Sequence, residues 1–261
     1  MSRPADVVLL HGVGLDHTLW DRVAPGLAAD GHIVHAPDLL GHGTAPDAPA
    51  GTSLADLAAP IAELVVGIGA PVHLAGFSLG ALVATRVALD HPECVATLTL
   101  VSGVAGRSDA ERAAVLGRLD SARADLASTF DGAVARWFGD EWLAQEPQLA
   151  DRVRATLAAN RPQSYLACYE VFARADDELW PELPRLAPPV VATTGSDDPG
   201  YTPAMTEALA ARVPRGHGEI VPGARHLLPL ERPDAVTEVL RDRIRRPATP
   251  SHTSSSGALN R

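Results

Sequence analysis

Lysine is absent from this 261-residue chain, so all 22 basic residues are arginines. A phosphate-binding P-loop needs its lysine on the phosphates, and a pyridoxal enzyme needs one for the Schiff base, so both classes are excluded. Cysteine is nearly absent too. Cys94 and Cys168 stand far apart, in no metal-ligand spacing, which excludes a disulfide scaffold and zinc motifs built on cysteine pairs. Both are expected to be small buried residues. Aromatics make up only 4% of the chain. No stretch approaches the ~18 apolar residues of a membrane span. The first residues show no charged segment ahead of an apolar run, so no export signal is expected and the protein is read as cytoplasmic. Positive charge is also in deficit: the formal net charge is −10 and the pI is about 5.4. Neither nucleic acid nor an anionic membrane is expected as a partner.

What is present is apolar and periodic. Hydrophobic residues make up 46% of the chain, ample for a core. Val7–Leu10, Ile33–Ala36, Val72–Ala75, Thr97–Val101, Val190–Thr194 and Glu219–Val221 read as strands. Most are continuous apolar runs, as in a parallel sheet covered on both faces. Helical patterns separate them. One is capped by Ser53 and runs to about Gly67, and others cover Leu79–Asp90, Pro203–Val213 and Pro233–Arg245. This alternation predicts an α/β fold with a mainly parallel sheet and helices on both faces.

The alternation breaks between about Gly106 and Leu186, where only helical stripes occur: Val115, Leu119, Ala122 and Leu126; Leu149, Val153 and Leu157; Leu166, Tyr169 and Phe172. Eight of the eleven aromatics fall between Phe130 and Trp180. The segment is read as a helical insertion whose apolar residues form its own core or wall a substrate pocket. The expected organisation is a core from residues 1–105 and 187–246, a helical cap at 106–186, and a disordered Pro/Ser/Thr-rich tail at 247–261.

The strongest motif is Gly76-Phe77-Ser78-Leu79-Gly80, between a strand and a helix. Chance alone gives about 0.09 matches to G-x-S-x-G in a chain of this composition, so context carries the signal. A serine on a sharp strand-to-helix turn needs small neighbours two residues away on each side. The turn also sets its hydroxyl at a helix N-terminus, where free N–H groups favour a developing oxyanion. A serine needs a base, and His226 lies in the loop after the last strand, at the same edge of a parallel sheet. The base needs an acid, and Asp197 or Asp198 follows the preceding strand at that edge. An oxyanion hole needs two N–H donors. Leu79 supplies one, and the second is expected from His11-Gly12-Val13-Gly14. That G-x-G could signal a dinucleotide site, but His17 stands where a third glycine would be required.

Together with Asp38-Leu39-Leu40-Gly41-His42-Gly43, Gly195-Ser196-Asp197-Asp198 and Gly223-Ala224-Arg225-His226, these motifs make the chain resemble the α/β-hydrolase superfamily over about residues 6–246. The resemblance implies Ser78, Asp198 and His226 as the triad and Val13 and Leu79 as the oxyanion donors. It also implies that His11, Asp38 and His42 are structural. Within the superfamily, 3-oxoadipate enol-lactonases look most similar, through His11 to Trp20, Arg136-Trp137-Phe138 and the run Pro162, Tyr165, Cys168, Asp176. That likeness implies Trp20, Arg136 and Trp137 as substrate contacts, with Arg136 facing the lactone's carboxylate. The superfamily's usual N-terminal hairpin has no counterpart before Val7, so Ile33–Ala36 is expected to be a sheet edge, either covered by a second copy in a homo-oligomer or exposed because this start is not the biological one. Thr44 also departs from the family's loop, and no role is read for it.

The expected chemistry is acyl transfer to water on a small carboxylic ester or lactone, with 3-oxoadipate enol-lactone as candidate and neither metal nor organic cofactor required. Activity is expected to fall below about pH 6–7, because His226 must be neutral to act. The same triad serves carbon–carbon, amide and enamide hydrolases, acyltransferases and cofactor-free haloperoxidases. Serine at position 78 argues against dehalogenases and epoxide hydrolases, which carry aspartate there. A non-enzymatic small-molecule receptor on this fold is the remaining alternative, separable by sustained turnover.

Overall fold

A computed structural model describes residues 4–103 and 106–246. The expected disordered tail lies outside them. Six strands form one sheet: β1 (Asp6–Leu10), β2 (Ile33–His35), β3 (Val72–Phe77), β4 (Val95–Val101), β5 (Val190–Gly195) and β6 (Gly216–Val221). Their order is β2-β1-β3-β4-β5-β6, and every pairing is parallel. Successive side chains of a strand point to opposite faces. All six residues of β3 are buried, so both faces of the sheet are covered there. Val7, Val8, Leu9 and Leu10 of β1 are fully buried as well, each contributing about 2 kcal/mol of apolar burial.

The sheet carries its own signposts. Ser53 caps the helix Leu54–Ile68 by accepting from the Asp56 N–H, while the Asp56 carboxylate accepts from the Ser53 N–H. That helix packs on Leu79–Asp90, which follows β3 directly, and Pro233–Arg245 packs on Ala24–Ala29. At the edge, β2 pairs only with β1 among the described residues, and Ile33 is 56% exposed. β6 begins three residues before the expected Glu219. Its burial is intermittent, so apolar pattern did not mark its start. Cys168 is buried, but Cys94 is only half-buried in a 3-10 turn ahead of β4, contrary to expectation.

Between β4 and β5 the described residues form helices and no strand: Asp109–Ala124, Phe130–Trp137, Asp140–Gln145, Pro147–Ala159 and Pro162–Leu179, with 3-10 turns and short connections between. Besides packing its last long helix on Leu79–Asp90, this segment bonds to loops that leave the C-terminal ends of the strands. Asn160 Nδ2 donates to the Gly14 carbonyl at 2.8 Å, Ser164 Oγ accepts from the Ala48 N–H at 3.1 Å, and Arg225 donates to the Ala135 and Phe138 carbonyls. The helices therefore lie over the edge from which the β1, β3, β5 and β6 loops emerge. β1 and β3 are neighbours whose crossovers depart in opposite directions, and a sheet of this kind opens a crevice at such a reversal.

Candidate active site

Ser78 sits at that reversal. Its φ of 52° and ψ of −111° lie outside the regions ordinary residues prefer, a strain of about 1–3 kcal/mol. The flanking glycines explain how the turn closes. A Cβ on Gly76 would lie 2.1 Å from the Gly80 carbonyl oxygen, and one on Gly80 would lie 2.4 Å from that of Leu10. The Ser78 N–H donates to the Val101 carbonyl at 3.0 Å, tying the turn to β4. Leu79 begins the helix, so its N–H has no acceptor within the helix.

His226 and Asp198 come from the β6 and β5 loops. His226 Nδ1 lies 2.8 Å from Asp198 Oδ2, with both side chains almost fully buried. The other oxygen, Oδ1, accepts from the N–H groups of Gly200 at 2.9 Å and Tyr201 at 3.0 Å. These contacts leave Nδ1–H as the donor and Nε2 as the free nitrogen. Asp197 turns outward and accepts from the Ser196 hydroxyl at 2.7 Å, so the two candidate acids separate cleanly. The loop that carries His226 is fixed from several sides. The His226 N–H donates to the Trp137 carbonyl at 3.1 Å, and its own carbonyl accepts from the Ser102 hydroxyl at 2.9 Å. Glu231 Oε2 accepts from the Arg225 N–H at 2.7 Å. Burial raises the Glu231 carboxyl above its ordinary value, partly offset by that bond and by the charge of Arg232.

The loop after β1 is held by histidines. His11 Nδ1 is 2.8 Å from the Gly12 carbonyl, and Nε2 accepts from the Leu39 N–H at 2.9 Å, so the ring is neutral and fully used. Burial lowers its pKa to about 4 and that of the adjoining His42 to about 3, His11 adding to the second effect. Burial alone would raise the Asp38 carboxyl. Bonds from the N–H groups of Thr44 and His17 and from both their side chains instead hold it well below the carboxylate range. Thr44, for which the sequence offered no role, thus closes the loop after β2 on Asp38.

Ser78, Asp198 and His226 line one cavity of about 110 Å³, together with Val13 and Leu15 from the β1 loop. Phe77, Trp137, Tyr169, Phe172 and Tyr201 supply its apolar wall. Arg118 and Arg136 complete it. Among the described residues neither arginine has a carboxylate within ion-pair distance. Desolvation, and then the charge of Arg118, lower the Arg136 pKa. Arg118 and Tyr201 were missed by the sequence reading. Arg118 carried a signal, since it lies three residues after Val115 and one before Leu119, on the flank of the buried stripe. Trp20 is a correction: it is fully buried and does not line the cavity. The 3-10 turn His17–Trp20 carries its indole into the core beneath the loop rather than toward the crevice.

Residues 7–239 match the alpha/beta hydrolase family, and the chain belongs to it. Among curated relatives, the (E)-2-((N-methylformamido)methylene)succinate hydrolase of Acinetobacter baylyi is 28% identical over 90% of this chain and 88% of its own. The 3-oxoadipate enol-lactonase 2 of the same organism is 25% identical over 90% of this chain and 86% of its own. Among solved structures, a thermophilic esterase from Thermogutta terrifontis, with malate bound, superposes with a TM-score of 0.84 at 25% identity, covering 95% of this chain and 92% of the other.

Proposed function

We propose that this protein is a serine hydrolase that cleaves a small carboxylic ester or lactone bearing a negative charge. The observation that carries this reading is the buried 2.8 Å contact between His226 and Asp198, facing the same cavity as a strained Ser78. In this mechanism Ser78 Oγ attacks the substrate carbonyl while His226 Nε2 takes its proton. Asp198 accepts from Nδ1–H, keeps the tautomer and faces the imidazolium as it forms. The N–H groups of Val13 and Leu79 hold the oxyanion. Collapse of the tetrahedral intermediate breaks the bond to the leaving oxygen, which takes the proton back from His226. Water activated by His226 then cleaves the acyl-enzyme. No step requires a metal or an organic cofactor.

The charge on the substrate is read from Arg118 and Arg136, which lie without carboxylate partners beside an apolar wall. An anionic group between them would relieve their repulsion and match the guanidinium fork. 3-Oxoadipate enol-lactone is the candidate substrate, supported by the likeness to the Acinetobacter enol-lactonase. It would place the enzyme in aromatic catabolism. The likeness to the succinate-derivative hydrolase favours a second reading, an enamide or amide bond cleaved by the same groups. The decisive assay follows the ultraviolet absorbance of the enol-lactone with wild type beside Ser78→Ala. Turnover lost in the variant supports both triad and substrate. Turnover retained by Ser78→Ala overturns the mechanism. A protein inert on the lactone but active on 4-nitrophenyl acetate keeps the triad and passes to the amide reading.

A further inference from the structure

Tyr201, in the cavity wall, meets both partners of the proposed acid–base pair, the base through its ring and the acid through its backbone N–H. Its ring lies over the His226 imidazole with centroids 4.5 Å apart and planes 21° from parallel. Its N–H donates to Asp198 Oδ1 at 3.0 Å, opposite the oxygen that faces His226. Its carbonyl accepts from the Thr194 hydroxyl at 2.8 Å, which pins the loop back onto β5. Phe77 also approaches the imidazole, at 4.9 Å, but tilted by 50° and from the nucleophile's own strand. Trp137 stands farther off, at 6.3 Å and 37°, so among the described residues Tyr201 alone lays a near-parallel face on the imidazole while its backbone bonds the acid.

The ring is itself held in place. Arg107 is buried, donates to Asp176 Oδ1 at 2.8 Å and to two carbonyls of the helix Pro162–Leu179, and sits over the Phe172 ring at 4.9 Å. Phe172 in turn adjoins Tyr201, with ring centroids 6.3 Å apart. Burial raises the Tyr201 phenol, and the neighbouring Arg107 charge draws it partly back. The ring thus stands between the sheet loop that carries the acid and the helix that roofs the cavity.

We propose that Tyr201 is a positioning residue that holds the His226 ring in line with Asp198 and steadies the imidazolium during acyl transfer. The inference rests on the serine-hydrolase reading above. An aromatic face attracts a cation held over it, and that attraction appears only while His226 carries the serine proton. It therefore lowers the barrier without tightening substrate binding.

The test uses the full-length protein with 4-nitrophenyl acetate, comparing wild type, Ser78→Ala, Tyr201→Phe, Tyr201→Met and Tyr201→Leu. Met fills the space without a π face, and Leu is the second variant should Met fold poorly. Loss of the ring should lower kcat roughly tenfold with KM within about twofold, and Phe should recover most of that loss. The downfield NMR signal of the His226 imidazole proton should persist in Tyr201→Phe and weaken or vanish in Tyr201→Met. An unchanged kcat and signal in the Met and Leu variants would overturn the proposal, as would an effect on KM alone. Equal damage in Phe would shift the role to the hydroxyl and overturn the stacking argument. A Ser78→Ala enzyme that still turns over would instead strike the underlying mechanism, so the two failures are distinguishable.

Discussion

The sheet and the helical layer above it build their halves of the cavity by different means. The sheet uses backbone. A strained serine, two glycines with no room for a Cβ, and buried polar side chains with named partners hold the candidate catalytic groups on loops of the sheet. The helices between β4 and β5 use side chains. They contribute aromatics and two arginines without carboxylate partners, while their outer face carries exposed ion pairs such as Arg154 with Asp131 and Arg174 with Glu170. The histidines divide the same way: none of the ten lies between residues 106 and 186. In the proposed mechanism the proton-transfer groups come from the sheet, while the helices supply both arginines and three of the five aromatics in the cavity wall. If that division holds, sheet variants should lose rate or stability, and helix variants should lose selectivity.

The largest expected effect is chemical. Ser78→Ala should lower kcat by about 10⁴-fold or more with little change in the unfolding midpoint, because it removes the proposed nucleophile from a turn its glycines still shape. A smaller but still severe effect is structural. Gly80→Ala would force a Cβ against the Leu10 and His11 carbonyls, at 2.4 and 2.5 Å, and neither backbone can yield. The expected cost is about 3 kcal/mol, read as a lower urea midpoint. An alanine at Gly117, whose Cβ position is open in the helix Asp109–Ala124, should cost nothing and serves as the contrast.

Acid should also act on the sheet. His11 and His42 stay neutral in the fold down to about pH 4 and about pH 3, whereas the unfolded chain takes up protons at these positions below about pH 6.5. The unfolded state then binds more protons, so stability falls as pH drops from about 6.5 toward those values. At pH 5 the loss approaches about 2 kcal/mol per histidine. His42→Gln should flatten the dependence of the urea midpoint on pH. An unchanged slope would mean that other groups carry the acid sensitivity.

How far the sequence could be read follows the same division. β1, β3, β4 and β5 were visible because burial on both faces leaves runs in which apolar residues are interrupted only by small or hydrogen-bonding ones such as His73, Thr97 and the Thr193–Thr194 pair. That Ser78, Asp198 and His226 would gather at one cavity was visible because each follows a strand within a few residues. Backbone geometry imposes such spacings, so they survive in one dimension. Positions set by packing did not. Trp20 follows the loop that shapes the crevice, yet the 3-10 turn His17–Trp20 rotates it into the core. Tyr201 lies in a loop without periodicity, and only the fold lays its ring on His226. Arg118 could have been found from its place beside the Val115–Leu119 stripe, but a charged residue on a helix flank reads as solvated until a cavity appears beneath it.

The smallest effect tests the helical side directly. Arg118 and Arg136 come from different helices, Asp109–Ala124 and Phe130–Trp137, and approach closely enough for one to depress the other's pKa. Two cations that share one bound anion are not independent, so their contributions should not add. Arg118→Gln and Arg136→Gln should each raise KM for an anionic ester, such as a monoester of a dicarboxylic acid, by roughly tenfold. The double variant should lose less than the product of the two, since each single change also relieves repulsion in the free enzyme. KM for neutral 4-nitrophenyl acetate should move by less than about twofold in all three, and kcat for either ester should follow wild type. Equal losses on the neutral ester would mean that the arginines shape the cavity rather than read charge. A fall in kcat would mean that the helices reach the reacting atoms, and the division between the two layers would then fail.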